Sequence, residues 1–511
     1  MERWTITGAQ GLRPRSDLIE RIFARDSSVW APGDDDPADR LGWLDLPARM
    51  GPEVGRLRSF AAAVAADGIR RVVVLGMGGS SLAPEVWAET FGSAPGYPAL
   101  TVLDSTHPAT VRAATDALDL DRTLWIVSSK SGGTVETISL YRHFRSLHDD
   151  GGSFVAITDP GTSLESMAQE EDFRATFLNP PDIGGRYSAL SLFGLVPAAL
   201  IGADIEELLD RARSMAEACA PEVHAHSNSA LQIGTAVASL AQAGRDKLTW
   251  LLSPDIGAFG GWVEQLIAES TGKRGRGIAP VVDEPLESVD AYGPDRTFVN
   301  LRTRGDSTHA ARVREVVAAG HPVIEIEIGG PRDLGAEMWR WELATSVAGA
   351  VLGINAFDQP DVEAAKNAAR LAMESEGGIE WPEEDPHELF RGAGPPELVA
   401  LLLYVHADDA ARSALDAARR KLLDEQHVAT SVGFGPRYLH STGQLHKGGP
   451  PGLRALIVLE EGEDDVGIPG SRFGFARLIA AQAMGDANAL EAAGRRVSRT
   501  TRAHFEKWAL S

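Results

Sequence analysis

The chain has 511 residues, enough for two to four domains around more than one core. Hydrophobic residues make up 43% and charged residues 24%, an ordinary soluble composition, and the longest apolar stretches (around 190–201 and 398–405) are too short to cross a bilayer. With 49 basic and 72 acidic residues the net charge is −23, which disfavours nucleic acid and anionic membranes as partners and requires any anionic substrate to be held by locally gathered positive groups. The single cysteine, Cys219, allows no intrachain disulfide, and the first residues carry charges where a secretory leader would be apolar. A soluble cytoplasmic protein is expected.

In chain order, residues 1–57 read as a polar helical segment broken at APGDDDPADR. From residue 58 to about 225 a β/α rhythm sets in. RVVVLGM, ALTVLDS, TLWIVSS and FVAITD are apolar runs too short for helices, each ending in Gly, Ser or Asp. Strands alternating with helices at this spacing predict a doubly wound parallel sheet. NPPDIGGRYS is a loop leading into an apolar helix. A second block, 226–380, repeats the pattern with strands LTWLLSP, FVNLR and PVIEIEI and helices at GWVEQLIAES and AEMWRWELATSVAGAVLG. The remainder, 381–511, follows the same element order: LVALLLYVH parallels LTWLLSP, ARSALDAARRKLLDE parallels GWVEQLIAES, and ALIVLEE parallels FVNLR. The helix in GSRFGFARLIAAQAMG is matched to the one in RDLGAEMWRWELATSVAGAVLG. A degenerate duplication is expected.

Two glycine and hydroxyl loops stand at strand-to-helix turns of the first block. Gly76-Met77-Gly78-Gly79-Ser80-Ser81 lets the backbone turn sharply and bring its N–H groups to a ligand. Ser128-Ser129-Lys130-Ser131-Gly132-Gly133-Thr134 gathers hydroxyls at a helix start, where the dipole favours an anion, although an elaborate N-cap would look the same. Together they predict a phosphomonoester socket with Gly78, Gly79, Ser80, Ser129, Lys130, Ser131 and Thr134 as its residues. The dinucleotide fingerprint and the GxxxxGK[ST] motif are both missing, so neither NAD nor a nucleoside triphosphate is indicated.

Three further motifs carry ionisable groups: IGGRYS with Arg186, EQLIAESTGK with Glu269, and AFDQPDVEAAK with Gln359 and Lys366. Each alone has a structural explanation, as a salt-bridging Arg, a solvated helix end or a Pro-started helix. Together with GMGGSSLAP and SSKSGGTVET, and in this order, they resemble the phosphoglucose isomerase family over about residues 60–370. The family more often has threonines where Ser131, Gly132 and Gly133 stand. RIFARDSSVWAPGDDDPADRLGWL and FGPRYLHSTGQLHKGGP are similar to the isomerase part of fused transaldolase–phosphoglucose isomerase proteins.

The resemblance implies an α/β fold of two doubly wound sugar-isomerase (SIS-type) domains plus the C-terminal α/β block. It implies reversible aldose–ketose isomerisation of glucose 6-phosphate and fructose 6-phosphate through a cis-enediol(ate), with neither metal nor cofactor. Glu269 would be the base shared between C1 and C2, Arg186 the charge facing the oxyanion, Gln359 a contact to sugar hydroxyls, and Lys366 with a histidine the ring-opening pair. In short bacterial relatives an LHS-x-GQ segment lies between the ES-x-GK and FDQP segments, and its histidine comes from the partner subunit. Here LHSTGQLHKGG lies downstream of FDQP, so His440 is the matching residue and His446 its rival. The chain is therefore expected as a homodimer, or as a monomer whose C-terminal block completes the site. Two alternatives remain open: a dual-specificity enzyme that also takes mannose 6-phosphate, and a non-catalytic sugar-phosphate-binding regulator.

Overall fold

The structure is a computed structural model that describes residues 3–9, 14–33, 36–361, 373, 379–462 and 464–511. It opens on a strand, β1 (Arg3–Thr7), where the sequence predicts helix. The alternation in RWTIT explains the difference: Trp4 and Ile6 turn onto the core while their neighbours stay exposed, the period of an edge strand. Short helices and 3-10 turns then lead to helix Val54–Ala66.

Five parallel strands follow: β2 (Arg71–Gly76), β3 (Ala99–Leu103), β4 (Thr123–Ser128), β5 (Phe154–Thr158) and β6 (Ala175–Leu178). Their spatial order is β3-β2-β4-β5-β6. The central strands β4 and β5 are buried along their whole length because helices cover both faces. The order reverses between β2 and β4, which places a crevice at their carboxyl ends.

The second sheet has β7 (Lys247–Leu252), β8 (Ala279–Val281), β9 (Arg296–Thr303) and β10 (Val323–Ile328), ordered β10-β9-β7-β8 with β1 added antiparallel at the β10 edge. Helix Phe259–Thr271 connects β7 to β8, and helix Leu334–Leu352 follows β10. Gly353 closes that last helix at φ +70, a conformation costly for other residues, and turns residues 354–361 back toward the first domain.

The third sheet has β11 (Leu398–Tyr404), β12 (Ala429–Phe434), β13 (Leu453–Leu459) and β14 (Arg496–Thr501), all parallel, ordered β14-β13-β11-β12. This repeats β10-β9-β7-β8 strand for strand. One helix pairing differs from the sequence expectation. Helix Phe475–Ala492 connects β13 to β14 and so corresponds to helix Ala310–Ala318, between β9 and β10, rather than to Leu334–Leu352. The apolar pattern is shared by both candidate helices, and strand order alone decides between them.

The C-terminal block packs into the angle between the other two units. Ile468, Phe475 and Leu478 join the core on the outer face of the first sheet, while Tyr438 and Leu445 share a core with Ala268, Ala279 and Val281. Among the described residues no helix is long and apolar enough to cross a membrane.

Candidate functional site

Both hydroxyl loops sit at the crevice between β2 and β4. Gly78 takes φ +55, and a Cβ there would stand 2.5 Å from the His440 carbonyl oxygen. A Cβ on Gly79 would stand 2.0 Å from the Gly185 carbonyl oxygen. Glycine is thus required so that the loop can touch both the GGRYS turn and the C-terminal block. The elaborate N-cap is not what the second loop forms. Thr134 Oγ1 shares a 2.9 Å hydrogen bond with Ser129 Oγ, and neither Thr134 nor Ser81 caps its helix with a side chain. The starts of helices Leu82–Phe91 and Val135–Leu147 therefore direct backbone N–H groups and a positive dipole end toward the crevice. Ser80 is buried in it and Ser131 is exposed at its rim. Lys130 is tied to Asp159, which offsets its charge.

Arg186 and Glu269 meet directly. Arg186, 4% exposed, lies in the 3-10 turn Gly185–Tyr187, and its Nη1 is 2.9 Å from Glu269 Oε1. Its Nε donates to Ser270 Oγ at 2.9 Å, and its Nη2 donates to the carbonyls of Ala356 and Asp358 at 2.7 and 3.0 Å. One guanidinium thus fixes the carboxylate and the returning 354–361 segment together, the multi-donor use to which Arg is suited. Stacking of Trp43 on Tyr187, whose hydroxyl shares a 3.2 Å bond with Ser270 Oγ, holds the turn from behind.

Lys273, in ESTGK, was assigned no role from sequence. It is buried, donates to the Asn355 carbonyl at 2.6 Å and pairs with Asp358 Oδ1 at 2.9 Å. Burial and the adjacent Arg186 charge pull its ammonium down to about 7, against the attraction of Asp358 and Glu269. Gln359, next in the segment, is exposed beside this anchor. Lys366 lies outside the described residues.

His440 is brought to this site, and the two other units hold it there. Its Nε2 donates to Glu136 Oε1 of the first domain at 2.9 Å. Its carbonyl accepts 2.7 Å from Gln265 Nε2 of the second domain, and the same amide nitrogen donates to Glu269 Oε2 at 3.1 Å. Three residues earlier, Arg437 donates to Glu85 and pairs with Asp104 at 3.0 Å, pinning the turn Arg437–His440 to the first domain. His446 goes elsewhere. It is fully buried inside the C-terminal block, shares a 3.0 Å bond with Ser431 Oγ, and is driven down to about 3 by burial and by the charges of Lys447 and Arg495. That environment excludes it from the crevice.

Glu136 carries no sequence-assigned role although it stands inside SSKSGGTVET. Its side chain is 3% exposed. Burial opposes its charge, but the His440 imidazole, the Glu136 N–H and Gln482 hold its carboxyl below the usual range. The only sequence signal was a carboxylate placed where the first turn of a helix enters a core; its partner stands 304 residues away.

A family model described as Phosphoglucose isomerase matches residues 52–274. The chain is 30% identical over 361 residues to a probable glucose-6-phosphate isomerase of Haloarcula marismortui, covering 63% of this chain and 82% of that protein. It is 30% identical over 392 residues to a glucose-6-phosphate isomerase of Rubrobacter xylanophilus, covering 66% and 89%. Its fold is similar to a crystal structure of a glucose-6-phosphate isomerase from Chlamydia trachomatis, at TM-score 0.57 and 20% identity over 70% of this chain and 83% of that one. A hypothetical protein from Thermus thermophilus aligns at TM-score 0.59 and 24% identity, over 70% and 94%. With relatives 30% identical and matched over 82% and 89% of their length, and a buried arginine–carboxylate pair beside two helix starts, the chain belongs to the phosphoglucose isomerase family.

Proposed function

We propose that this chain interconverts glucose 6-phosphate and fructose 6-phosphate, with its ring-opening histidine supplied by its own C-terminal block. The phosphate binds at the two helix starts of the first domain, where N–H groups and hydroxyls donate to it. His440, with the family's lysine at Lys366, moves the protons of ring opening: one group takes the anomeric hydroxyl proton as the other protonates the ring oxygen. Glu269 then removes the proton from C2 of the open aldose while the C1 carbonyl takes up the electron pair as an enediolate. Arg186 stabilises the charge on that oxygen. The proton on Glu269 returns to C1, the O2 hydroxyl proton is lost and O1 is protonated, giving the ketose. Base and product balance, and no electron leaves the substrate.

One observation carries the reading: a single amide nitrogen, Gln265 Nε2, bonds both Glu269 and the His440 carbonyl. The base candidate and the ring-opening candidate therefore border one small crevice within one chain. The repeat supports the same reading. LHSTGQ lies between β12 and β13, the slot equivalent to that between β8 and β9, which falls between ESTGK and FDQP as the segment does in short relatives. On this reading the second domain keeps ESTGK and FDQP while its C-terminal copy keeps the histidine, which permits a monomer. The likeness to fused transaldolase–phosphoglucose isomerase proteins belongs with this account. The segment carrying it packs on the FDQP loop through Trp30 against Phe357, with ring centroids 5.0 Å apart. A cytoplasmic location fits a sugar-phosphate substrate and the lone buried Cys219.

The test is conversion of fructose 6-phosphate by purified protein in EDTA, scoring glucose 6-phosphate and mannose 6-phosphate separately. Glucose 6-phosphate should dominate, and Glu269→Gln should lower kcat by ~10²–10⁴-fold while substrate still binds. Wild-type turnover by that variant would refute the base assignment, and comparable mannose 6-phosphate would establish dual specificity.

A further inference from the structure

Helix Phe475–Ala492 of the C-terminal block packs on the first domain and reaches the site there. Gln482 on this helix is buried, and its Nε2 donates to Glu136 Oε1 at 2.7 Å, the same oxygen that receives His440 Nε2 at 2.9 Å. Its amide is oriented by its own oxygen, which accepts from Thr106 Oγ1 at 3.3 Å. One turn later Asp486, fully buried, pairs with Lys447 and accepts 2.6 Å from Tyr438 Oη. Tyr438 and Lys447 flank the histidine segment on either side. A single helix face therefore holds the carboxylate through Gln482 and the histidine-bearing turn through Asp486.

We propose that Gln482 is a positioning residue for ring opening, acting through the Glu136–His440 pair; this rests on His440 being the ring-opening group. Two donors on one oxygen stabilise the ionised carboxylate. They also fix the direction from which that oxygen meets the imidazole, so His440 keeps one tautomer and one ring orientation. Removing the amide leaves Glu136 with fewer donors. Its carboxyl rises toward the usual range, and the imidazole loses its fixed partner.

The experiment compares wild type with Gln482→Met, which keeps volume and removes both donor and acceptor, and with Gln482→Ala. Three readouts are taken: kcat and KM for fructose 6-phosphate across pH, the exchange rate between sugar-phosphate anomers by NMR, and the imidazole titration of His440 in ring-labelled protein. Gln482→Met should lower kcat and anomer exchange by ~10-fold or more with KM nearly unchanged. The acid limb of kcat should move to higher pH, and the His440 titration should shift. A purely structural role would lower the melting temperature and leave the pH profile and the His440 titration where they were, which overturns the proposal. If both variants fold poorly, Thr106→Val, which removes only the anchor of the Gln482 amide, should produce the same shifts in milder form; unchanged shifts there overturn it equally. If wild type proves inactive on fructose 6-phosphate, the functional reading fails, while the His440 titration still decides whether Gln482 governs the pair.

Discussion

At the scale of single residues, the two histidines of LHSTGQLHKGG have opposite fates, and two variants separate them. His440→Ala should lower turnover of the cyclic substrate by ~10²-fold or more, because ring opening loses its proton carrier. His446→Leu should leave kcat near wild type and change stability instead. Its imidazole is held at about 3, against 6.5 for a free histidine, by burial and neighbouring cations. Between these values the unfolded chain binds a proton that the folded chain refuses, so stability falls as pH drops from 6.5 toward 3. Denaturation midpoints of His446→Leu should flatten across that window; an unchanged slope contradicts the assignment. Arg186 and Glu269 were legible because their motifs are contiguous and chemically specific. Glu136 was not, because nothing local distinguishes a carboxylate on a solvated helix face from one that meets an imidazole across the fold. Lys273 was hidden for the same reason: a lysine reads as surface until burial lines it with Asp358 and Asn355.

Secondary-structure elements show where pattern suffices and where it fails. Long apolar strands such as β4 and β11 are unmistakable. β6 and β8 are too short to show a period, β12 and β14 are broken by Gly, Ser or Arg, and β1 falls in a stretch whose charges read as helix. The repeated strand order was visible in the sequence, but the pairing of the helices needed the sheet topology. The glycine loops make a sharper prediction at this scale. Gly79→Ala drives a methyl into the Gly185 carbonyl, so the GGRYS turn must move and carry Arg186 with it. Loss of kcat/KM should exceed ~10-fold, and a wild-type rate in a well-folded variant contradicts the close approach. The turn Arg437–His440 depends on Arg437 in the same way. Arg437→Ala leaves Glu85 and the buried Asp104 without their cation, at a cost of ~2–3 kcal/mol measured by urea unfolding, together with reduced kcat. Unchanged activity would mean that the turn is held by something else.

For the whole molecule, the proposed site requires the C-terminal block to stay docked. Part of that docking is electrostatic. His107 is buried at the start of a helix with its Nε2 3.3 Å from Glu460 Oε2, while Arg502 donates to Glu460 Oε1 at 2.9 Å. Burial alone would raise the Glu460 carboxyl, but His107, the His406 N–H and Arg502 take it down to about 2 from 4.5. A folded value below the unfolded one stabilises above 4.5, and that contribution is lost as pH falls through this range to 2. Glu460→Gln should therefore cost ~1–2 kcal/mol at neutral pH, allowing for solvent screening, and nothing at the acid end. Equal destabilisation at both ends would remove Glu460 from the account. The central claim is that one chain holds the entire acid–base apparatus. Its most direct test is to co-express Glu269→Gln and His440→Ala chains and assay the purified mixture with fructose 6-phosphate. Catalysis within one chain predicts no recovery, since every site keeps one defect. Histidine exchange between subunits predicts recovery to roughly a quarter of wild type, from one intact site in each mixed pair, and that result would contradict the account.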